Sequence, residues 1–386
     1  MIHRTLQEKL AQSAQQMPVI TITGPRQSGK TTLSKYVFPN HTYINLELPN
    51  HRNFAINDPQ GFFELYSGRL ILDEVQRAPA LLSYIQGIVD ERKQNGQFIL
   101  TGSENLLLSE KVNQSLAGRT YIFTLLPLSL EELSDLPSNY TNYLPYLYKG
   151  FYPKLYTDPV ISTEWLGDYI QTYLERDIRQ LINIKYLMQF QTFLNLCAAH
   201  VGQIINYTSF SNAVGVSDKT IREWLSILEA TYIVYLLPPY YNNFKKRLTK
   251  SPKLYFYDTG LACTLLGISD ANVLALHPLK GSLFENFIIT ELMKMHLNRR
   301  LRPKFYFWRE NNGIEVDCLI EYKGKLFLIE IKSTQTFTSF STGNLKKLTD
   351  LIGNNIADPY IIYGGEHGYN NQGIKVLSWK KLDALI

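Results

Sequence analysis

A chain of 386 residues has room for two or three domains with ample core. Its 45% hydrophobic and 19% charged residues exclude a disordered or fibrous chain, and a net charge of +5 is too mild to name a partner. No run of about eighteen apolar residues occurs, and the opening carries His3, Arg4, Glu8 and Lys9, so neither a membrane span nor a secretory signal is expected.

Ile2, Leu6 and Leu10 are spaced for one face of an opening helix that packs on a sheet. The apolar run Pro18 to Thr23 then enters Gly24-Pro25-Arg26-Gln27-Ser28-Gly29-Lys30-Thr31, followed by Thr32 and a helix-like stretch to Tyr36. This is G-x-x-x-x-G-K-[ST] between a strand and a helix. Glycines at both ends let successive backbone N–H groups turn inward around a phosphate, and the helix N-terminus adds its positive end. Lys30 supplies a compact charge for β- and γ-phosphates, and the Thr31 hydroxyl is a magnesium ligand. ATP and Mg2+ are the expected cofactors.

Further strands are predicted at 43–46, 70–72, 98–100 and 121–123, alternating with crossovers, which implies a parallel sheet buried on both faces. Asp73 and Glu74 close the 70–72 run, taken to adjoin the phosphate-loop strand. Asp73 would hold the magnesium shell and Glu74 would align or deprotonate the attacking water; the alternative is an acid pair capping the next helix. One of Thr101, Ser103 or Asn105 would touch the γ-phosphate or its water. Arg119 reads either as a finger reaching the nucleotide of a neighbouring subunit in a homo-oligomer or as a surface arginine.

Gly24-Pro25-Arg26-Gln27-x-Gly29-Lys30-Thr31-Thr32, Leu72-Asp73-Glu74, Leu100-Thr101-Gly102-Ser103 and Leu116-Ala117-Gly118-Arg119 with Leu126-Pro127-Leu128-Ser129 resemble the AAA-type ATPase domain of prokaryotic proteins that also carry a DUF4143 domain. The likeness continues at Tyr173-Leu174-Glu175-Arg176-Asp177-Ile178 and at Lys250 to Gly260, covering nearly the whole chain. It implies ATP binding and hydrolysis.

Residues 138–153, rich in Tyr, Pro and Asn, read as a linker. A helix is expected over 169–187, where Arg176 or Arg179 would sense the γ-phosphate from a lid or pair within the helix. Tyr207 to Leu225 outlines a helix-turn-helix broken at Gly215, with Ser217 as N-cap and strands of a winged version beyond. Asp218, Lys219, Arg222 and Glu223 face outward there, a mixed charge poorly suited to DNA and equally suited to a lid or dimer contact. Two basic clusters, Lys245, Lys246, Arg247, Lys250 and Lys253, and then Lys294, Arg299, Arg300, Arg302 and Lys304, read as phosphate-contacting DNA surfaces or as solvated faces. Cys197, Cys263 and Cys318 stand singly, so no disulfide framework or zinc knuckle is suggested and a reducing cytoplasm is expected.

Two strand runs, 314–322 and 325–332, joined at Lys323-Gly324 read as a hairpin that places Asp317 opposite Glu330. Opposed carboxylates repel unless a cation sits between them. Asp317, Glu330 and Lys332, with Glu285 on the preceding helix and Gln335 beyond, resemble the core of PD-(D/E)-x-K nucleases. That resemblance implies magnesium on Glu285, Asp317 and Glu330 and Lys332 steadying the scissile phosphate; the alternative is a nuclease-like fold whose acids only pair with neighbouring cations.

The expected fold is α/β: a P-loop parallel-sheet ATPase domain over 1–136, a helical lid with a winged-helix-like module over 137–275, and a restriction-endonuclease-like α/β domain over 276–386. The expected function is an ATPase coupled to a nucleic-acid-binding, nuclease-like end. The alternative is a nucleotide-gated regulatory switch whose last domain docks a partner. A kinase fits less well, because Glu74 beside Asp73 suits water activation.

Overall fold

The computed structural model describes residues 2–386 apart from 104–114, 135, 137–139, 174–186, 241–250, 303, 311–314, 337–341, 353–356 and 372. Asn105, Arg176, Arg179 and Lys245 to Lys250 therefore lie outside the described residues. The chain divides into two units: Met1–Glu132 with the short returns Ala230–Tyr232 and Leu297–Leu301, and the remainder.

In unit 1, β1 (Val19–Thr23), β2 (Thr42–Asn45), β3 (Leu70–Asp73), β4 (Phe98–Gly102) and β5 (Thr120–Thr124) form one parallel sheet in the order β2-β3-β4-β1-β5. Successive side chains of a strand point to opposite faces, and here both faces are covered, which is why the strands read as continuous apolar runs. Val19, Leu70, Leu72, Phe98 and Leu100 pack against α3 (Pro49–Asn57), α4 (Pro59–Leu65) and α5 (Leu81–Arg92). Ile20, Ile22, Ile71 and Ile99 face α1 (Leu6–Ala14) and α2 (Lys30–Val37), with Leu6, Leu10 and Leu33 in the same core. The opening helix expected from Leu6 and Leu10 is thus present. One expectation fails: β3 does not adjoin β1, because β4 lies between them.

In unit 2, a six-stranded mixed sheet runs β12-β13-β11-β10-β9-β8, from β8 (Phe305–Arg309), β9 (Glu315–Tyr322), β10 (Lys325–Lys332), β11 (Ala357–Tyr363), β12 (Tyr369–Asn371) and β13 (Ile374–Ser378). Its core joins Val316, Leu319, Leu328, Ile361 and Val376 to the helix Gly343–Ile352 through Leu345 and Leu348. Lys323 (φ 49°) and Gly324 (φ 77°) both sit in the left-handed region, the pair a two-residue type I′ turn requires. The register from Lys325↔Tyr322 to Ile329↔Cys318 follows from that turn and ends one step short of Glu330 and Asp317.

The helices Tyr207–Val214 and Asp218–Ala230 meet at Gly215, which is left-handed at φ 77°. The Ser217 hydroxyl accepts the Thr220 N–H at 3.1 Å, and β6 (Val234–Leu237) pairs antiparallel with β7 (Lys253–Phe256). The charges on the outer face are spent locally: Asp218 accepts from Ser211 (2.6 Å) and Thr208 (3.0 Å), Lys219 lies 3.9 Å from Glu223, and Arg222 lies 3.6 Å over the Tyr207 ring.

Residues 140–153, the described part of the expected linker, are packed rather than free. Leu144–Lys149 is a helix, and Tyr143, Tyr146, Leu147, Phe151 and Tyr152 are buried. Tyr143 packs 4.4 Å from the Phe284 ring and donates to Ser333 O at 2.5 Å. Aromatic rings bury large apolar areas, and that outweighs the local turn-forming composition. Several described members of the basic clusters are buried or paired. Lys253 is 3% exposed and Lys294 is buried against Glu291 at 2.7 Å. In unit 1, Arg299 pairs with Glu131 at 3.4 Å and Arg300 stacks 3.4 Å over Tyr121.

Candidate functional site

The loop between β1 and α2 is shaped by three left-handed residues, Gly24 (φ 143°), Gln27 (φ 63°) and Gly29 (φ 94°). A Cβ on Gly24 would stand 2.1 Å from Leu125 O, so the chain admits only glycine there. Helix α2 begins at Lys30, which leaves its first-turn amides without intrahelical acceptors at the mouth of the loop. Inside the loop the Ser28 hydroxyl is buried without a hydrogen-bond partner among the described residues.

Lys30 is 5% exposed and donates to Gly24 O (2.9 Å) and Pro25 O (2.8 Å). Burial lowers its pKa to about 8, against the pull of Glu74 and Asp73. Thr31 Oγ1 donates to Asp73 Oδ2 at 2.9 Å, which brings the loop to the end of β3 across the intervening β4. Asp73 also accepts from Tyr43 OH at 2.8 Å and, on its other oxygen, from Thr101. Burial, and then Asp73 beside it, hold the Tyr43 phenol protonated well above its ordinary range. Glu74 follows in a left-handed conformation (φ 58°) and accepts from Ser103 at 3.1 Å and from Gln76.

Of the predicted site residues, Lys30, Thr31, Asp73, Glu74 and Ser103 are brought together with Gly24, Ser28 and Gly29. Thr32 points outward from α2, and Arg26 lies 3.9 Å from Glu47. Arg119 is half-buried and gripped by Asp90 through two bonds of 2.6 and 2.7 Å. Sequence reading missed Tyr43, Gln76 and Arg4. The residues fit a nucleotide with its magnesium: the glycine-only cradle, the orphaned Ser28 hydroxyl, the buried ammonium and the Thr31–Asp73 pair suit a phosphate chain and a hard cation.

A second cluster lies within unit 2, where the helix Lys280–Asn298 brings Glu285 to the sheet. Lys253 Nζ stands 3.1 Å from Glu285 and 2.5 Å from Glu315, and Tyr255 also donates to Glu285. Asp317 accepts the Ile331 N–H at 2.7 Å, and Lys332 holds Glu330 at 2.5 Å. Burial, then the Asp317 charge, raises both Glu285 and Glu330 to about 7. Burial alone would lower Lys253, but Glu285, Asp317 and Glu315 outweigh it and hold the ammonium charged. Lys253 and Lys332 pair with Glu285 and Glu330, and among the described residues no three acids, imidazoles or thiols converge as a metal site. Sequence reading placed Lys253 in a surface cluster and missed this role.

The raised acids have a consequence for stability. A carboxyl of 4.5 in the unfolded chain and about 7 when folded binds more protons in the native state between those values. Its stabilising contribution is complete below about 4.5 and is lost as pH rises through about 7. The melting temperature of unit 2, followed by a probe such as Trp379 fluorescence, is expected to fall by several degrees from about pH 5 to about pH 8, and less in Glu330→Gln. A flat or rising profile would contradict the buried-acid assignment.

A profile described as "AAA domain" matches residues 16–134, "Domain of unknown function (DUF8612)" matches 140–272, and "Domain of unknown function (DUF4143)" matches 280–382. The uncharacterized protein Rv2008c of Mycobacterium tuberculosis is 31% identical over 364 residues, 94% of this chain and 80% of that protein. The uncharacterized protein MJ1544 of Methanocaldococcus jannaschii is 25% identical over 334 residues, 78% of this chain and 71% of its own length. Among solved structures, the Walker-type ATPase PABY2304 of Pyrococcus abyssi is similar at a TM-score of 0.48 and 17% identity, over 69% of this chain and 96% of that one. Among the described residues no helix is long and apolar enough to cross a membrane. With a relative above 30% identity along nearly its whole length and both terminal domain profiles in place, the chain belongs to the family of proteins that join an AAA-type P-loop ATPase domain to a DUF4143 domain.

Proposed function

We propose that unit 1 binds ATP with magnesium and hydrolyses it. The observation that carries this reading is the Thr31–Asp73 hydrogen bond at the foot of a glycine-bounded loop, with Glu74 next in the chain. The amides of Gln27 to Thr32 and the Lys30 ammonium bind the phosphates, and Thr31 and Asp73 hold the magnesium. Magnesium, when bound, neutralises charge that builds on the phosphate oxygens. Glu74 orients the attacking water and takes its proton, and Ser103 positions the Glu74 carboxylate. Tyr43 shares Asp73 Oδ2 with Thr31 while Thr101 holds Oδ1, so the carboxylate is fixed at both oxygens. Service by Arg119 in a neighbouring subunit's site would first require release from Asp90. Phosphate release from ATP by the purified chain, dependent on added magnesium, tests the reading; none from folded protein would refute it.

For unit 2 a domain that docks rather than cuts is the better reading, favoured by Lys253 standing among Glu285 and Glu315. Plasmid and single-stranded DNA incubated with the protein and magnesium or manganese are expected to stay intact. Cleavage that disappears in Asp317→Ala would restore the nuclease role for Asp317, Glu330 and Lys332.

A further inference from the structure

Arg4 lies just before α1, is 4% exposed, and has no place in the chemistry above. Its guanidinium donates to Ser28 O at 2.8 Å and to Leu126 O at 2.7 Å, while Nε lies 3.0 Å from Glu132 Oε1. Glu132 is itself fixed. It accepts the Thr5 N–H (2.9 Å) and the Ser129 N–H (3.0 Å), and its own N–H donates to the Ser129 hydroxyl oxygen at 3.3 Å. Ser129 and Glu132 thus form a capping box on the short helix Leu130–Leu133, a rigid base for the arginine.

We propose that Arg4 is a positioning residue of the phosphate loop, drawing the Ser28 carbonyl to the back of the loop so that the Gly29 N–H faces the nucleotide side. The reason is geometric. A planar trans peptide points its C=O and the following N–H in opposite directions, so fixing one fixes the other. The segment that supplies the second anchor, Leu126, follows the Leu125 carbonyl that rests against Gly24. Both ends of the loop are therefore backed by the same stretch after β5. Arginine is required because a planar fork donates to two carbonyls at once while its charge faces the Glu132 carboxylate, which a lysine ammonium on a single stem does not do. Preorganising the amides in this way lowers the ordering cost of binding.

The proposal rests on the nucleotide-site reading, and the test separates the two. Affinity for fluorescent ADP, KM and kcat for ATP, and melting temperature are measured for wild type, Arg4→Lys and Arg4→Ala. Arg4→Lys is expected to fold and to bind ADP about tenfold or more weakly, with KM rising more than kcat falls. Millimolar guanidinium is expected to restore part of the affinity of Arg4→Ala. Folded Arg4→Lys that binds ADP as the wild type does, whatever its melting temperature, would overturn the positioning role. Should Arg4→Ala fail to fold, Arg4→Lys alone decides. Absence of ADP binding in the wild type would instead strike the nucleotide-site reading, on which Arg4 depends.

Discussion

Lys30→Ala is expected to abolish magnesium-dependent ATP turnover, lowering kcat/KM by about a hundredfold or more. Removing one preorganised donor from a site of charge development typically costs about 10² to 10³ in rate, and Lys30 is a charged donor in a buried setting. The side chain is long enough to reach the Gly24 and Pro25 carbonyls, so it spans the loop and can turn its N–H donors to a phosphate entering there. Alanine also removes the Lys30 bond from both carbonyls, leaving Pro25 O with only the 3.4 Å bond from the Ser28 N–H, which costs stability as well as binding. Lys30→Met keeps the stem while removing the charge, so a melting curve close to wild type with lost turnover assigns the effect to the ammonium. Turnover by either variant at the wild-type rate would remove Lys30 from the site.

Glu74→Gln is expected to separate binding from chemistry. The amide keeps the length of the side chain and one oxygen to accept from Ser103, but it no longer takes a proton. Hydrolysis should fall by about 10² to 10⁴, the usual worth of a general base, while ATP affinity changes little. Measuring kcat in single turnover alongside ADP affinity checks both halves. A variant that hydrolyses normally would leave the strand-end cap as the role of Glu74. A variant that loses affinity as well would show that Glu74 shapes the site rather than the water.

Much of unit 1 is legible in the sequence because its signals are local. The loop declares itself through glycine spacing, and strands buried on both faces read as unbroken apolar runs such as Leu70 to Leu72. The Lys323-Gly324 turn fixes the register of β9 and β10 by the same local logic. What the sequence hides is decided by distant partners. Nothing near Tyr43 or Arg4 announces a hydrogen bond to Asp73 or to Ser28, since both depend on how strands are ordered in the sheet. Strand order itself is absent from a linear pattern, which is why β4 was not expected between β1 and β3. Lys253 reads as one more surface base because its neighbours in sequence are basic, while the acids that bury it, Glu285 and Glu315, arrive on later elements. Tyr143 to Tyr152 mislead in the opposite sense: prolines and asparagines there suggest a linker, yet the tyrosines fill a core.

Calorimetric titration of ADP and ATP with magnesium into the folded chain tests the central claim most directly. Below about pH 8 Lys30 carries its charge, and as pH rises through that value the unliganded protein loses it. Because an unfolded lysine titrates near 10.5, the unliganded fold gains stability from Lys30 between about 8 and 10.5, whereas phosphate binding must take a proton up. A single nucleotide site per chain, weaker at about pH 9 than at about pH 7 and with proton uptake at the higher value, is the predicted result. A folded chain that takes up neither ADP nor ATP at either pH would contradict it.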